Sequence, residues 1–378
     1  MSGALFLAWA HIWHHRWRSL ILVLAIALIV VVPVTVSRVV DAAEADLSAR
    51  AEATPLLIGA RGSRLDLVMS ALYFGEDQPD PLPYQASEDV WDSGLAIAIP
   101  LYQRFYAEGA PIIGTSLDYF DLRGLRIADG RGLTVLGDAV LGAAVAAERG
   151  LSVGDHILST PENLFDIAGS YPLRMPVVGV LAPTGTPDDA AIFVDVKTTW
   201  VMAGIGHGHE DVEGGASAGI LQYAEITPQN IDSFHFHGDV GSYPITAIIA
   251  EPWDQRSSTI LKGRYLDTSG PAQIVDPEEV MSGLIETVFA IKDVLDWVVR
   301  IVGGAAALAV VLALHLTFRL RAREMQTAFR LGAGRFATLQ LLLAEALLLG
   351  GAAVMLAGAV IWISQPYLSG DAVQLLTR

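Results

Sequence analysis

The chain contains no cysteine. It forms no disulfide and no thiolate metal site. Lysine is nearly missing: Lys197, Lys262 and Lys292 are the three in the sequence, and none follows a glycine. The Walker A pattern that ends in Gly-Lys-Ser/Thr is therefore absent, so the chain supplies no ATP site of its own. It also lacks G-x-S-x-G, H-E-x-x-H and the protein-kinase motif set, and no enzymatic chemistry is expected of it. Charge of either sign is scarce: 17% of the 378 residues are charged, 52% are hydrophobic, and the mean hydropathy is +0.45. That balance is too apolar for an ordinary soluble domain and points to membrane segments.

The charge that is present is segregated. Residues 41–286 carry 36 acidic and 13 basic side chains, a net of -23, and the remainder carries 5 and 11, a net of +6, within a total of -17. Such a split suggests two aqueous compartments. An acidic segment of this size repels polyanions, so nucleic acid is set aside as a partner.

Three apolar runs account for the hydropathy. Ser19–Ser37 has no charge over 19 residues, enough to cross a hydrocarbon core and too long for the apolar part of a signal peptide. The second span is expected at 296–318, around the uncharged run Ile301–Phe318. The third, 336–363, is interrupted only by Glu345. Small residues crowd the last two (Gly303, Gly304 and Ala307, then Gly350, Gly351, Ala353, Ala357 and Gly358), a pattern that lets helices approach closely. An ionisable group in a span is costly and faces a bundle interior or a cavity. Glu345 is expected to pair with an arginine or serine of a neighbouring helix, or to mark a proton or substrate path.

Arginine near span ends sets orientation. Arg16 and Arg18 precede the first span, and Arg321, Arg323, Arg330 and Arg335 lie between the second and third. Both flanks are then cytoplasmic, and the acidic 38–295 segment and the tail 364–378 are outside. Trp9, Trp13 and Trp17 recur every four residues beside His14 and His15, so 1–18 reads as an interfacial helix on the lipid of the cytoplasmic leaflet.

Within 38–295, the ends 39–53 and 281–297 read as helical stalks that extend the spans. AIAIP (96–100), MPVVGVLAP (175–183) and AAIFVDV (190–196) read as short buried strands, and 138–155 as strand, helix and a turn at Gly150. This is an α+β domain without an internal repeat.

Histidine is paired. His207 and His209 precede Glu210, Asp211 and Glu213, and His235 and His237 precede Asp239. His-x-His on a strand places both imidazoles on one face. Two such pairs with carboxylates nearby have the donor set for zinc or a similar borderline metal, provided the fold joins them. A solvated acidic loop with incidental histidines is the plainer alternative.

The layout as a whole resembles the FtsX/MacB/LolC-type permeases of ABC transporters. LAWAHIWHHRWRSLILVLAIAL (7–28) is similar to that family's approach to its first span. ADGRGLTVLGDAVLGAAVAAERGLSVGD (128–155) and VVGVLAPTGTPDDAAIFVD (177–195) resemble its periplasmic core, and RAREMQTAFRLGAGRFATLQLLLAEALLLG (321–350) resembles its cytoplasmic loop and following span. A subset of such permeases has histidine-rich inserts and is associated with metal homeostasis. The resemblance implies a membrane helical bundle of three spans with a MacB periplasmic-core-like α+β domain inserted between the first two. It implies a dimer with a second permease copy or homologue in a bacterial inner membrane, driven by a separate cytoplasmic ATPase that holds the ATP and magnesium, and a periplasmic partner protein. It implies that 319–335 is a coupling loop, in which Arg323, Glu324, Leu331, Gly332 and Ala333 match the docking segment. The family's usual fourth span has no counterpart here. Two other readings stand beside the permease: a non-transporting activator of an envelope hydrolase, and a membrane-anchored metal-binding protein.

Overall fold

The structure, a computed structural model, describes residues 2–160, 172–207, 224–267, 270–284, 297, 300–305, 307, 308, 311, 312, 319 and 335–368. Two compact units divide them. One holds the chain up to Ala45 together with residues from Leu284 onward, and the other runs from Asp46 to Gly283. The helices in chain order are α1 (Ser2–His14), α2 (Arg16–Glu52), α3 (Arg64–Tyr73), α4 (Gln85–Asp92), α5 (Asp118–Arg123), α6 (Ala143–Arg149), α7 (Val196–Met202), α8 (Gln255–Arg264) and α9 (Arg335–Leu368). The strands are β1 (Leu56–Ala60), β2 (Leu82–Pro83), β3 (Ala96–Ala107), β4 (Ala110–Thr115), β5 (Ile127–Gly130), β6 (Ala139–Leu141), β7 (His156–Leu158), β8 (Leu173–Leu181), β9 (Ile192–Asp195), β10 (Gly206–His207), β11 (Ala224–Glu225), β12 (His235–Phe236), β13 (Pro244–Ile245), β14 (Ala247–Pro252) and β15 (Ala272–Val275).

In the helical unit, two helices among the described residues are long and apolar enough to cross a membrane: Arg16–Val39 within α2, with mean hydropathy 3.0, and Leu343–Ile363 within α9, with mean hydropathy 2.3. Leu24, Leu28, Leu347, Met355 and Trp362 are all exposed. A helix that is apolar all round and still uncovered is stable only in an apolar solvent. Of the expected second span, residues 297, 300–305, 307, 308, 311 and 312 are helical, and the rest lies outside the described residues. The close approach is made by alanine. Ala27, Ala353 and Ala357 form a buried cluster flanked by Val23, Ile26, Val31 and Leu356. A Cβ added to Gly350, Gly351 or Gly358 would meet nothing within 4 Å. Of the small residues singled out in the third run, Ala353 and Ala357 therefore make the close contact among the described residues, and the glycines there do not.

The second unit is built on a mixed sheet of eleven strands among the described residues. Its order is β11-β8-β6-β9-β4-β3-β14-β1-β15, with β5 and β7 also paired to β8. β4–β9, β6–β8 and β11–β8 are parallel, and the other pairs are antiparallel. The central strands are apolar nearly throughout, as in LLIGA of β1 and AIIA at the start of β14, because helices and loops cover both faces. β3 and β4 form a hairpin whose two turn residues, Glu108 and Gly109, both have positive φ (51° and 86°). That twist matches the flanking strands. The run 96–100 is the first part of β3, 175–183 falls mostly in β8, and 190–196 contains β9. The 138–155 stretch gives β6, α6 and a left-handed Gly150 at φ 66°.

α7 packs on β3, β4 and β9. Its approach requires Gly114 on β4, where a Cβ would lie 2.5 Å from Thr199 Cγ2. At the centre of α7, Trp200 is 1% exposed and makes edge-on ring contacts with Tyr84, Phe236 and Tyr243. Its indole N–H donates to the Pro244 carbonyl at 2.9 Å, so the one polar atom of this large side chain is satisfied.

Candidate functional site

The segment expected to couple to an ATPase, with Arg323, Glu324, Leu331, Gly332 and Ala333, lies outside the described residues. Glu345 is described. It is 8% exposed on α9, and His11 Nε2 of α1 lies 3.7 Å from its Oε1. At that distance the contact is an ion pair only when the imidazole is protonated. His11 in turn meets the His15 ring at 4.5 Å between centroids.

The histidine pairs are partly joined. β10 and β12 form an antiparallel ribbon in which residues 207 and 235 are direct register partners. The rings of His235 and His237 meet edge-on, 4.5 Å between centroids. His235 Nδ1 lies 2.9 Å from the Ser233 carbonyl oxygen, so Nδ1 is the donor in that contact. His209 lies outside the described residues, and no group of three or more metal-ligating side chains is gathered among those described. Positions 207 and 235, one from each pair, are thus brought together in the backbone, while the described side chains supply two imidazoles.

The most heavily built polar site was not singled out from the sequence. Arg50, 7% exposed near the end of α2, forks onto Asp188, 1% exposed in the 3₁₀ turn Pro187–Ala190, with Nη1–Oδ2 at 2.7 Å and Nη2–Oδ1 at 2.9 Å. Tyr119 of α5 donates its hydroxyl to Asp188 Oδ1 at 2.7 Å and accepts from Arg50 Nη2 at 3.0 Å. Thr186 donates to Asp188 Oδ2 at 2.9 Å, and Arg50 Nε donates to the Leu72 carbonyl at the end of α3. The guanidinium also lies over the Phe74 ring, 5.6 Å from its centroid. Phe74 caps α3 in the left-handed region at φ 58°, an unfavourable conformation for a residue with a Cβ. Close by, Arg123 donates to Thr54 Oγ1 at 2.9 Å, and Thr54 donates to the Arg50 carbonyl at 2.9 Å. Arg123 Nε is buried without a hydrogen-bond partner. Tyr73 adds a hydroxyl bond to the Leu47 carbonyl.

Electrostatics keeps this network charged. Burial alone would push the Asp188 carboxyl up, but the Arg50 guanidinium and the hydrogen bonds from Arg50 and Tyr119 hold it below the usual carboxylate range. Burial pushes the Tyr73 phenol up to about 12, against the pull of Arg50 and Arg123. Burial, and then the Asp188 charge, push Tyr119 up as well, so it stays a neutral donor. Asp138 is likewise held low: burial opposes its charge, and Arg131 with the backbone N–H groups of Thr134 and Val135 outweighs burial. A carboxylate whose folded pKa is depressed stabilises the fold above its unfolded pKa and loses that stabilisation as pH falls through the folded value. The contributions of Asp188 and Asp138 are therefore complete above about pH 4 and disappear below it. Thermal unfolding from pH 6 to pH 2 should show the wild type losing stability in that acid window. Asp188→Asn should start lower and lose less.

The profile of the MacB-like periplasmic core domain family matches residues 19–222. Among solved structures, the chain is similar to the periplasmic region of MacB from Actinobacillus actinomycetemcomitans, with 12% identity and a TM-score of 0.36 over 61% of this chain and 92% of that one. It is also similar to the extracellular domain of the noncanonic ABC-type transporter YknZ from Gram-positive bacteria, with 10% identity and a TM-score of 0.33 over 58% and 98%. No curated protein matches the chain.

Proposed function

This chain belongs to the MacB-like periplasmic core domain family, that of MacB/FtsX-type ABC transporter permeases, and from that premise we propose that it is a permease subunit whose movement is driven by a separate cytoplasmic ATPase. The observation that carries this reading is the extent of the family match. It begins at residue 19, inside the first apolar run, and continues through β1 to β10. An apolar helix joined without interruption to an α+β domain is a means of carrying motion from the membrane to that domain. ATP binding in the partner draws two coupling loops together, and the helices leaving the membrane convey the shift to the outer domains of a dimer. The chain itself does no ATP chemistry.

The test is co-purification of the tagged chain from gently solubilised native membranes. A stoichiometric ABC ATPase is the expected companion, and its absence from folded, intact chain sinks the reading. Arg323, Glu324, Leu331, Gly332 and Ala333 are proposed as the docking segment. Glu324→Lys should weaken ATPase association at least tenfold while membrane insertion is unchanged, and equal association would remove Glu324 from the contact.

A second reading rests on the β10–β12 register. His207, His209, His235 and His237 are proposed to bind a divalent metal such as zinc on the outer domain. Titration of the detergent-solubilised full chain with zinc chloride should find one site, and His235→Ala and His237→Ala should each weaken it tenfold or more. Unchanged affinity in both variants would discard it.

A further inference from the structure

The interior of the α+β unit is mostly apolar, but the last turns of α2 are held by charge. Arg50 reaches four segments at once: the 3₁₀ turn through Asp188, α5 through Tyr119, the end of α3 through the Leu72 carbonyl, and the α3 cap through the Phe74 ring. We propose that this network is a directional lock that transfers displacement of α2 to strand β9, and so to the middle of the sheet. The proposal rests on the coupling role stated under Proposed function and names the residues that perform it.

Three observations support it. The first is direction. Apolar contact is non-directional and lets packed surfaces slide, whereas a two-bond guanidinium–carboxylate fork fixes both distance and angle. The Arg50–Asp188 fork is of that kind, and Tyr119 and Thr186 hold the same carboxylate from other sides.

The second is the path beyond Asp188. The turn Pro187–Ala190 leads directly into β9, whose neighbours are β6 on one side and β4 on the other. The turn is braced from behind. Gly142, at the start of α6, packs so closely that a Cβ there would lie 2.3 Å from the carbonyl oxygens of both Asp188 and Asp189. Its N–H donates to the Ala191 carbonyl at 2.8 Å. A push on Asp188 therefore meets backbone rather than a yielding side chain.

The third is that burial does not explain the charge. Well-packed apolar residues of similar volume commonly replace a buried ion pair without loss of stability. Meanwhile Phe74 is kept in a left-handed conformation beneath the guanidinium. Such conformations persist where the surroundings over-determine them, and they cluster at switch regions. Arg50, Asp188 and Tyr119 are positioning residues in this scheme.

Hydrogen exchange on the full chain in detergent tests the lock without any ATPase. In the wild type, amides of residues 47–53 and of 186–191 should open as one unit, with rates within about threefold of each other. In Arg50→Met/Asp188→Leu, melting should stay near the wild-type temperature while the two segments separate in rate by tenfold or more. Amides of β14 should keep their rates. Arg50→Lys keeps the charge and loses the fork, so it should separate the same two segments and decides the matter if the double variant fails to fold. Unrelated rates in the wild type, or a common opening that persists in the variants, would overturn the lock. Because no ATPase takes part, that failure is distinct from failure of the permease reading, which co-purification reports.

Discussion

Asp188→Ala is expected to destabilise the protein by about 3–5 kcal/mol, because it leaves the Arg50 guanidinium buried without its counter-charge. The loss is larger than that of the two hydrogen bonds alone. Arg50 cannot shed its proton at any accessible pH, so the guanidinium must find water or the helix end must move. Arg123 gives it no relief: it is a second cation in the same region and already has a buried Nε without a partner. Arg50→Ala should cost a similar amount for the converse reason, since the Asp188 carboxylate would keep only Tyr119, Thr186 and its burial. The Arg50→Met/Asp188→Leu double variant should recover most of the loss. Urea unfolding of the three variants in one detergent measures this. Single variants within about 1 kcal/mol of the wild type would mean that water already reaches the pair.

That network illustrates what could be read from the sequence and what could not. The uncharged run 19–37 is legible because a span needs only length and apolarity. The strands at 96–100, 175–183 and 190–196 are legible because buried strands are short apolar runs between turns. Arg50 and Asp188 are not, since LSARAE reads only as the end of a helical stalk and TPDDAA only as the approach to a strand. They are separated by 138 positions, and no local spacing marks them as partners. The same holds for strand order, where β1 pairs with β14 across most of the domain. Glu345 falls between these cases. The cost of burying an acid predicts that it has a partner, but His11 lies on a helix that reads as lipid-facing. For the histidines, residue type and spacing suggest metal chemistry, and only the backbone register places 207 against 235.

Trp200→Ala should produce the other large effect, a loss of about 3–5 kcal/mol, as expected for removing a large aromatic from a close-packed interior. Trp200 is wrapped by Tyr84, Phe236 and Tyr243, which come from the approach to α4, from β12 and from the approach to β13. No one of those elements is long enough to be stable alone: β12 and β13 have two residues each. The indole is therefore their common support, and its hydrogen bond to Pro244 fixes the angle at which β13 meets α7. Truncation should loosen the ribbon that carries His235 while leaving the Arg50 network intact, since no residue of that network touches Trp200 among the contacts described. Hydrogen exchange separates the two regions. Amides of 234–245 should exchange at least tenfold faster in Trp200→Ala, and those of 47–53 should follow only the global loss. If zinc binds at the histidines, this variant should also weaken it although tryptophan is no ligand. Unaltered protection across 234–245 would show that the ribbon is held by other contacts and would free the histidine site from any dependence on the core.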